Sequence, residues 1–318
     1  MVRSLADYRL AEAEEIHPAA GEIRIAVHCC GMGYVDALVA SGGYQIKPPM
    51  PFTPGQEYSG IVDAVGVGVT RFVVGDRVMA ASFGGGLAEQ ALVKEEAAWL
   101  IPPAMSFAQA AGFRTNYLTA LHALEDRARI RSGETLLVIG AAGGVGAAAV
   151  QVGVLLGAEV VAAGSSDEKR AYALRLGASA SIDTNPEGWR DRLKEACGGK
   201  GPDIVFDPVC GSLFEPAFRS QGWRGRHLVV GFAGGDIPRL AANLPLMKGA
   251  ALVGVDVRQF LLFEPGLAAA HLERLLGWVG EGLLEPPVGR RFAFEDFGAA
   301  MKFAMSGQGM GKTVIDIL

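Results

Sequence analysis

Short apolar segments alternate with helical segments over the middle of the chain, from about residue 135 to 255. Six of the apolar segments read as strands, at 136–139, 160–163, 181–182, 204–206, 228–230 and 252–255. Strands and helices that alternate at these lengths predict an α/β fold with a parallel, doubly wound sheet. Right-handed crossovers place the C-terminal ends of all strands on one edge, where such sheets bind ligands. The residues expected at that edge include Gly140, Gly164, Asp207 and Gly231.

The two ends of the chain show a different pattern. Residues 1 to about 110 contain short β-like segments separated by Gly and Pro, at 22–29, 60–65, 77–81 and 88–93, which predict a mostly antiparallel β domain. After about residue 257 we expect one helix at 267–280, a strand at 291–294, a short helical segment and a strand at 313–317. Those strands could return to the first domain. The predicted domains are therefore 1–110 with 259–318, and 111–258.

Composition and charge narrow the class of protein. Of the 318 residues, 50% are hydrophobic, which gives each of two domains enough material for a core. No run of 18 apolar residues occurs and the N-terminal segment is acidic, so we expect a cytoplasmic protein with no membrane partner. A formal net charge of −5 without a Lys/Arg cluster makes a nucleic-acid partner unlikely and favours small-molecule chemistry. The four cysteines form no C-x-x-C pair and are expected as reduced thiols.

A glycine-rich turn follows the first strand of the middle region. It consists of Gly140, Ala141, Ala142, Gly143, Gly144, Val145 and Gly146. The glycines at 143, 144 and 146 let the backbone turn tightly and approach a pyrophosphate, and helical spacing continues to residue 156. The N-terminus of that helix presents unpaired N–H groups to the phosphates. The turn predicts a dinucleotide site, with an ordinary strand-to-helix turn as the structural alternative.

Motifs along nearly the whole chain resemble the medium-chain dehydrogenase/reductase superfamily. In the first domain they are Pro-Gly-Gln-Glu-Tyr-Ser-Gly-Ile-Val at 54–62, Val-Gly-Val-Gly-Val at 65–69 and Val-Gly-Asp-Arg-Val at 74–78. The turn at 141–146 and Val-Val-Gly-Phe at 229–232 resemble its nucleotide domain, and Gly-Lys-Thr-Val at 311–314 resembles its closing strand. The resemblance implies a GroES-like, mostly antiparallel β domain and a Rossmann nucleotide domain, with the active site in the cleft between them.

The same resemblance bears on zinc. Zinc alcohol dehydrogenases of the superfamily carry a ligand Cys and a ligand His at the positions of Gly33 and Gln56, and neither residue here can replace those ligands. His28 and Glu57 remain possible ligands, but two residues without a third do not make a catalytic site. We therefore expect a zinc-free protein with no metal site. The chain most resembles the zinc-free quinone oxidoreductase branch, which usually has Asn where Gly33 stands.

The end of the second strand predicts which nicotinamide cofactor binds. NAD-preferring sites usually place an acidic residue there to bind the ribose 2′-hydroxyl, but here Ser165 and Ser166 follow the strand and the first acid is Asp167. Small residues leave room for a 2′-phosphate, and Ser165, Ser166, Lys169 and Arg170 can supply hydrogen-bond donors and charge. NADPH is favoured. In the structural alternative these residues only cap and solvate the following helix.

The resemblance also implies roles for residues near the reaction. Hydride transfer is the cofactor's chemistry, so the protein must position the nicotinamide and exclude water. The implied cofactor contacts outside the turn are Gly231, Phe232, Asn243 and Lys312, with Thr119 as a catalytic residue beside the nicotinamide. The implied substrate residues are Tyr34, Asp36, Tyr44 and Tyr117. Tyr44 is our first choice as donor to the acceptor oxygen, and Arg114 is a weaker one.

Several alternatives stay open for these residues. The Thr119 hydroxyl could instead bond to the backbone of its own helix. Tyr44 could be a half-buried loop aromatic, while Tyr117, Arg114 and His122 could be structural. Asp36 is expected to fix a loop or hinge and not to act as a base.

These observations predict a zinc-free, NADPH-dependent reductase of quinones or other α,β-unsaturated carbonyls. A rival in the same class is an enoyl-thioester reductase. A rival in another class is a nucleotide-binding protein with little turnover, either structural like a crystallin or RNA-binding. A homodimer is also expected, because the apolar strand at 252–255 could pair across a two-fold axis as it does in related proteins.

Overall fold

The computed structural model describes residues 5–318 and contains two compact units. The first unit comprises the described residues up to Arg114 together with Val279–Leu318, and the second is Thr115–Trp278. The second boundary falls in the last turn of the helix Pro265–Gly280, whereas the sequence pattern placed that helix in the first domain. Ion pairs within the second unit explain the difference, because Arg274 of this helix binds Glu125 and His271 binds Asp126.

A seven-stranded sheet forms the first unit. Its strands are β1 (Glu22–Met32), β2 (Glu57–Val65), β3 (Arg77–Ala81), β4 (Gln90–Lys94), β5 (Ala98–Leu100), β12 (Val288–Ala293) and β13 (Lys312–Asp316). The order is β12-β13-β1-β2-β3-β5, and β4 pairs with β1. Neighbours are antiparallel except β12 and β13, so the predicted antiparallel domain is confirmed, as is the return of the C-terminal strands to it. The sequence pattern missed β5, which has only three residues.

Alternation along β1 explains the core of this sheet. Ile23, Ile25 and Val27 are fully buried while the residues between them are partly exposed, the period of a strand with one face in a core. The helices of this unit are α1 (Tyr34–Ala40), α2 (Phe107–Ala110) and α11 (Phe297–Met305). Ala37 and Met301, from α1 and α11, join the same apolar cluster as the β1 side chains.

The second unit is a parallel six-stranded sheet. Its strands are β6 (Thr135–Ile139), β7 (Glu159–Gly164), β8 (Ala180–Asp183), β9 (Ile204–Asp207), β10 (Arg226–Val229) and β11 (Ala251–Gly254). The order is β11-β10-β9-β6-β7-β8, and every neighbouring pair is parallel. All six strands were predicted, with bounds that differ from those of the structure by at most two residues at either end. The predicted α/β class, with GroES-like and Rossmann-like domains, is confirmed.

Helices connect these parallel strands. They are α4 (Gly144–Leu155), α5 (Asp167–Arg175), α6 (Trp189–Ala196), α7 (Phe214–Ser220) and α8 (Asn243–Lys248). Before β6 lie α3 (Arg114–Leu121) and a π-helix at His122–Arg127, and after β11 lie α9 (Val257–Phe263) and α10 (Pro265–Gly280). No helix in residues 5–318 combines the length and apolarity that a membrane crossing requires.

The prediction of a single helix between residue 257 and the strand at 291–294 was wrong. Asp256 caps α9, because its carboxylate accepts hydrogen bonds from the backbone N–H groups of Arg258 and Gln259. Pro265 then begins α10, in the first turn where its missing N–H costs nothing. These two start signals, an Asp cap and a first-turn Pro, divide the segment into two helices.

Candidate active site

The glycine-rich turn leaves β6 and enters α4 in one tight bend. Gly140 has φ +65°, a conformation that favours glycine, and its carbonyl accepts a hydrogen bond from the N–H of Gly143. Ala141 and Ala142 are buried beneath the turn. Gly143 is the N-cap residue of α4 and has no side chain that could cap the helix. The first N–H groups of α4, which have no partner within the helix, are therefore left for a ligand.

A backbone contact requires glycine at one position of the turn, a second glycine packs against a side chain that can move, and a third has no close contact. A Cβ at Gly146 would lie 2.2 Å from the Gly140 carbonyl oxygen, and a Cβ at Gly144 would lie 2.9 Å from Asn116 Nδ2. A Cβ at Gly143 would meet only the Gly140 oxygen, at an ordinary 3.5 Å. The space in front of Gly143 is open. This opening, at the end of a twelve-residue helix, fits a phosphate group.

The end of β7 lies beside this turn, because β6 and β7 are neighbours in the sheet. Ser165 and Ser166 are exposed there, and the Ser166 hydroxyl caps α5 by accepting from the Lys169 N–H. The Lys169 ammonium lies 3.2 Å from the Ser165 hydroxyl. Arg170 is held by Asp167, Asp183 and the Gly164 carbonyl. The arrangement combines a helix cap with an accessible cation. It is therefore compatible with both interpretations of the sequence, a 2′-phosphate site and a cap of the following helix.

A buried polar pair supports the turn from its other side. The Asp207 carboxylate, at the end of β9, accepts hydrogen bonds from the N–H groups of Val209 and Cys210 and is 3.0 Å from His227 Nε2. Asp207 and His227 are both fully buried. The loop that they hold packs on the turn, because the Val209 side chain would be 2.9 Å from a Cβ at Gly140. The sequence analysis noted Asp207 at the edge but missed His227.

The remaining predicted cofactor residues of the second unit lie after β10. Gly231 lies against the carbonyl of Pro208, where a Cβ would be 3.1 Å from that oxygen. Phe232 follows it and is partly exposed. Asn243 is exposed at the start of α8, where its amide is 3.8 Å from the Met247 sulfur. The parallel sheet therefore brings the turn, Ser165 and Gly231 to one edge.

Two predicted residues of α3 have partners inside the second unit. The Thr119 hydroxyl donates to the Thr115 carbonyl at 2.6 Å, which is the backbone-bonded alternative considered above. The Tyr117 hydroxyl is 2.5 Å from Gln151 Oε1 of α4, and its burial raises its pKa. Both side chains are buried. Tyr117 thus joins α3 to the helix that carries the dinucleotide turn.

In the first unit, a buried ion pair lies beside Gly33, one of the two positions that the resemblance compared with zinc ligands. The Lys312 ammonium lies 3.1 Å from Glu57 Oε2, and both side chains are largely buried. A Cβ at Gly33 would lie 3.2 Å from the same ammonium and 3.3 Å from Asp36 Oδ2. Asp36 accepts hydrogen bonds from the N–H groups of Gly33 and Gln56. It therefore fixes these two segments, as expected for a residue that holds a loop.

Electrostatics in this cluster follow from burial and proximity. Burial alone would lower the pKa of Lys312, but the carboxylates of Glu57 and Asp36 outweigh it and raise that pKa. Burial raises the pKa of Asp36, although Lys312 and the two backbone donors oppose the shift. Burial also raises the pKa of the Cys30 thiol well above its usual range. The described cysteines form no disulfide, as predicted, and Cys30 is not a nucleophile here.

The other predicted substrate residues have looser surroundings. Tyr34 begins α1 and is half-buried. Tyr44 is half-buried in the bend after Gly43, and within the described residues no side chain or backbone group bonds to its hydroxyl. Arg114 stacks on the Trp99 ring at 4.6 Å and is mostly buried, which lowers its pKa. His28 stacks on Phe107, with ring centroids 4.4 Å apart.

Comparison with known proteins identifies the family. Residues 19–103 match the alcohol dehydrogenase GroES-like domain, and residues 144–270 match the zinc-binding dehydrogenase family. Quinone oxidoreductase-like protein 2 of Rattus norvegicus is 36% identical over 93% of this chain and 85% of its own length.

Solved structures agree with that match. The quinone oxidoreductase of Thermus thermophilus, solved also as a complex with NADPH, has a TM-score of 0.86 at 32% identity and covers 99% of this chain and 98% of its own. The CurK enoyl reductase has a TM-score of 0.89 at 25% identity, over 100% and 97%. The expected family is confirmed: this chain belongs to the quinone oxidoreductases of the medium-chain dehydrogenase/reductase superfamily, and is by that membership an oxidoreductase.

Proposed function

We propose that this protein reduces quinones or other α,β-unsaturated carbonyls with NADPH, by hydride transfer without zinc. The observation that carries the proposal is the open N-terminus of α4 at Gly143, with Ser165 and Lys169 on the neighbouring strand end. The N-terminus of α4 fits a pyrophosphate, and Ser165 with Lys169 fits a ribose 2′-phosphate. The match to quinone oxidoreductases, one of them solved with NADPH, supports it.

The residues present fit the cofactor chemically. The backbone of the turn at 140–146 would hold the pyrophosphate, because Gly143 leaves the helix N–H groups uncovered. Ser165, Ser166 and Lys169 would hold the 2′-phosphate. Asp167 directly follows Ser166 in the chain. Because its carboxylate is ion-paired with Arg170, it does not leave an uncompensated negative charge beside the proposed 2′-phosphate site. We further propose Gly231, Phe232 and Asn243 as contacts of the cofactor.

In the proposed reaction, the bound nicotinamide supplies the hydride. The Tyr44 hydroxyl, which no described residue engages, donates a hydrogen bond to the acceptor oxygen as negative charge develops there. A proton then completes the reduction, on oxygen for a quinone and on carbon for an enone. Lys312 and Glu57 hold a buried ammonium beside Gly33, and Asp36 fixes the Gly33 and Gln56 segments around it.

The cofactor assignment is tested by comparing NADPH with NADH. Lys169→Ala should raise the Kd for NADPH roughly 10- to 100-fold, the effect of losing one charge-assisted hydrogen bond, and change that for NADH less than about twofold. Lys194→Ala is the matched control, since Lys194 is an exposed lysine on α6. Titrations followed by tryptophan fluorescence measure both constants. Equal effects on the two cofactors would contradict the 2′-phosphate site.

A second candidate is reduction of enoyl thioesters, which the similarity to the CurK enoyl reductase favours. Both reactions use a conjugated carbonyl as acceptor, so an NADPH-consumption screen over quinones, alkenals and enoyl-CoA esters separates them. Turnover confined to enoyl-CoA esters would replace the quinone assignment. Turnover of none of the three, with NADPH still bound, would favour the structural or RNA-binding alternative.

We also propose that the protein is a homodimer that pairs through β11. This strand is the edge of the second sheet, and an unpaired edge is a template for another strand. Exposed apolar side chains lie nearby along the chain, at Leu246, Met247, Leu262 and Phe263. The location in the cytoplasm, expected from the sequence, stays a prediction.

A further inference from the structure

Two buried histidines meet at one carboxylate oxygen in the second unit. Asp126 Oδ2 lies 2.8 Å from His122 Nδ1 and 2.9 Å from His271 Nε2. Less than a tenth of either imidazole is exposed. His122 and Asp126 belong to the π-helix that follows α3, and His271 belongs to α10. The three groups therefore join segments that are far apart in sequence.

A second carboxylate lies beside this group. Oxygen atoms of Glu125 and Asp126 and a ring nitrogen of His271 all lie within 4.8 Å of one another. In the arrangement seen here the Glu125 carboxylate is ion-paired with Arg274, one turn further along α10 than His271. π-Helical turns often occur at functional positions. Here the π-helix places the adjacent residues Glu125 and Asp126 against the one helix α10.

Aromatic packing fixes the imidazoles beside this group. The Phe260 ring stacks on His122 with centroids 3.9 Å apart and lies 5.8 Å from the His271 ring, so an apolar wall covers the imidazoles. The ligand atoms close enough to share an ion are those of Glu125, Asp126 and His271, whereas His122 bonds to Asp126 from outside that group. Bonds of about 2.1 Å in a tetrahedral site place ligand atoms roughly 3.4 Å apart, so His271 Nε2 would move from Asp126 by about half an ångström.

We propose that Glu125, Asp126 and His271 form a binding site for a divalent metal ion of the zinc class, with His122 as the hydrogen-bond partner that orients Asp126. Imidazole and carboxylate ligands suit zinc, cobalt and nickel, whereas magnesium and calcium prefer oxygen alone. Glu125 becomes the third protein ligand when it leaves Arg274, and a water molecule completes the tetrahedron. The ion clamps α10 to the segment after α3, which is a structural role separate from the proposed hydride transfer.

This proposal departs from the expectation of a protein with no metal site. That expectation rested on residues 33 and 56, and neither belongs to this cluster. The sequence pattern favoured a structural role for His122 on a helical segment and did not indicate His271, which lies on another helix. The four residues of the cluster are neither predicted contacts of NADPH nor predicted substrate residues, so the two proposals fail independently.

The test is zinc binding by the full chain after removal of metal with EDTA. We expect one ion per chain, with cobalt substitution giving the visible absorption of a tetrahedral site. His271→Gln and Asp126→Asn approximately keep the size of each side chain. Each should weaken zinc binding by at least ~100-fold, because the loss of a metal ligand costs more than the loss of a residue that only hydrogen-bonds to a ligand. His17→Gln, at an exposed histidine outside the cluster, should bind as the wild type does.

Two further variants separate this site from nonspecific binding. Arg274→Gln should strengthen zinc binding, because it removes a positive charge and releases Glu125, and Glu125→Gln should weaken it. Zinc should raise the unfolding temperature of the wild type and of His17→Gln but not of His271→Gln. Absence of stoichiometric binding, or binding that His271→Gln and Asp126→Asn leave unchanged, would overturn the proposal. Circular dichroism of each variant establishes that it is folded.

Discussion

The Lys312 ammonium lies 3.1 Å from the Glu57 carboxylate, a contact between residues 255 positions apart in the chain. Lys312 begins β13 and Glu57 begins β2, and these strands flank β1 on opposite sides. The ion pair therefore spans the central strand of the first sheet at one end. Asp36 adds a second carboxylate to the same ammonium, whose pKa is raised above its ordinary value.

Removal of either partner should destabilise the first unit. Lys312→Met leaves the Glu57 and Asp36 carboxylates buried without their cation, and Glu57→Gln removes the nearer of those carboxylates. Each should lower the free energy of unfolding by about 3–5 kcal/mol, as for other broken buried pairs. The double variant should lose clearly less than the sum of the two, because both changes remove the same interaction. Urea denaturation of the four proteins measures the coupling, and strict additivity would contradict it.

The same pair predicts how stability depends on alkaline pH. The folded pKa of Lys312 is raised, so its contribution is complete below the unfolded pKa and is lost as the pH rises through the folded pKa. We expect the wild-type advantage over Lys312→Met to be constant near neutral pH and to shrink above a pH of about 10.4. Urea denaturation of both proteins from pH 7 to 11 gives this difference. An advantage that grows in this alkaline range would have the wrong sign.

Gly143 and Gly146 of the dinucleotide turn should respond differently to substitution by alanine. Gly146→Ala places a Cβ 2.2 Å from a backbone oxygen, so it should cost about 1–3 kcal/mol of folding stability or more. Gly143→Ala makes only ordinary contacts and should cost at most about 1 kcal/mol as an N-cap change. Because its methyl group enters the space proposed for the phosphates, the Kd for NADPH should rise at least about tenfold.

Urea denaturation and fluorescence titration of both variants separate these effects. The matched control is Gly266→Ala, at an exposed glycine of the same unit where a Cβ would meet nothing within 4 Å. Unchanged NADPH binding by Gly143→Ala would contradict the proposal that the pyrophosphate binds at the N-terminus of α4. A Gly146→Ala variant as stable as the control would contradict the packing of the turn.

Tyr44→Phe tests the proposed donor to the acceptor oxygen. Loss of this hydrogen bond should lower kcat for quinone reduction by about 100-fold, the effect of removing one donor to a developing oxyanion. The Kd for NADPH should not change, because Tyr44 lies in the first unit and outside the predicted cofactor contacts. Tyr8→Phe is the control for a half-buried tyrosine of the same unit. Steady-state kinetics measure kcat. Equal values for Tyr44→Phe and wild type would show that the Tyr44 hydroxyl is not the donor to the acceptor oxygen.

The parallel sheet and the dinucleotide turn could be predicted because their signals are local. Each strand is a short apolar segment bounded by polar or glycine residues, and Gly143 and Gly146 stand between a strand and a helix. The side-chain partners could not be predicted in the same way. Nothing near residue 57 indicates that Lys312 lies beside it, and the contact of Tyr117 with Gln151 depends on how two helices pack.

Exposed apolar residues of α8 test the proposed dimer. Leu246 and Met247 are 82% and 74% exposed in the single chain, so charged substitutions there should not disturb its core. If a second copy covers them, Leu246→Glu with Met247→Glu should shift the mass measured by light scattering from two chains to one. Val67→Glu, at a residue 84% exposed in the first unit, should remain dimeric. A wild type that is monomeric at micromolar concentration would exclude pairing through β11, whereas a dimer that survives the double substitution would place the interface away from α8.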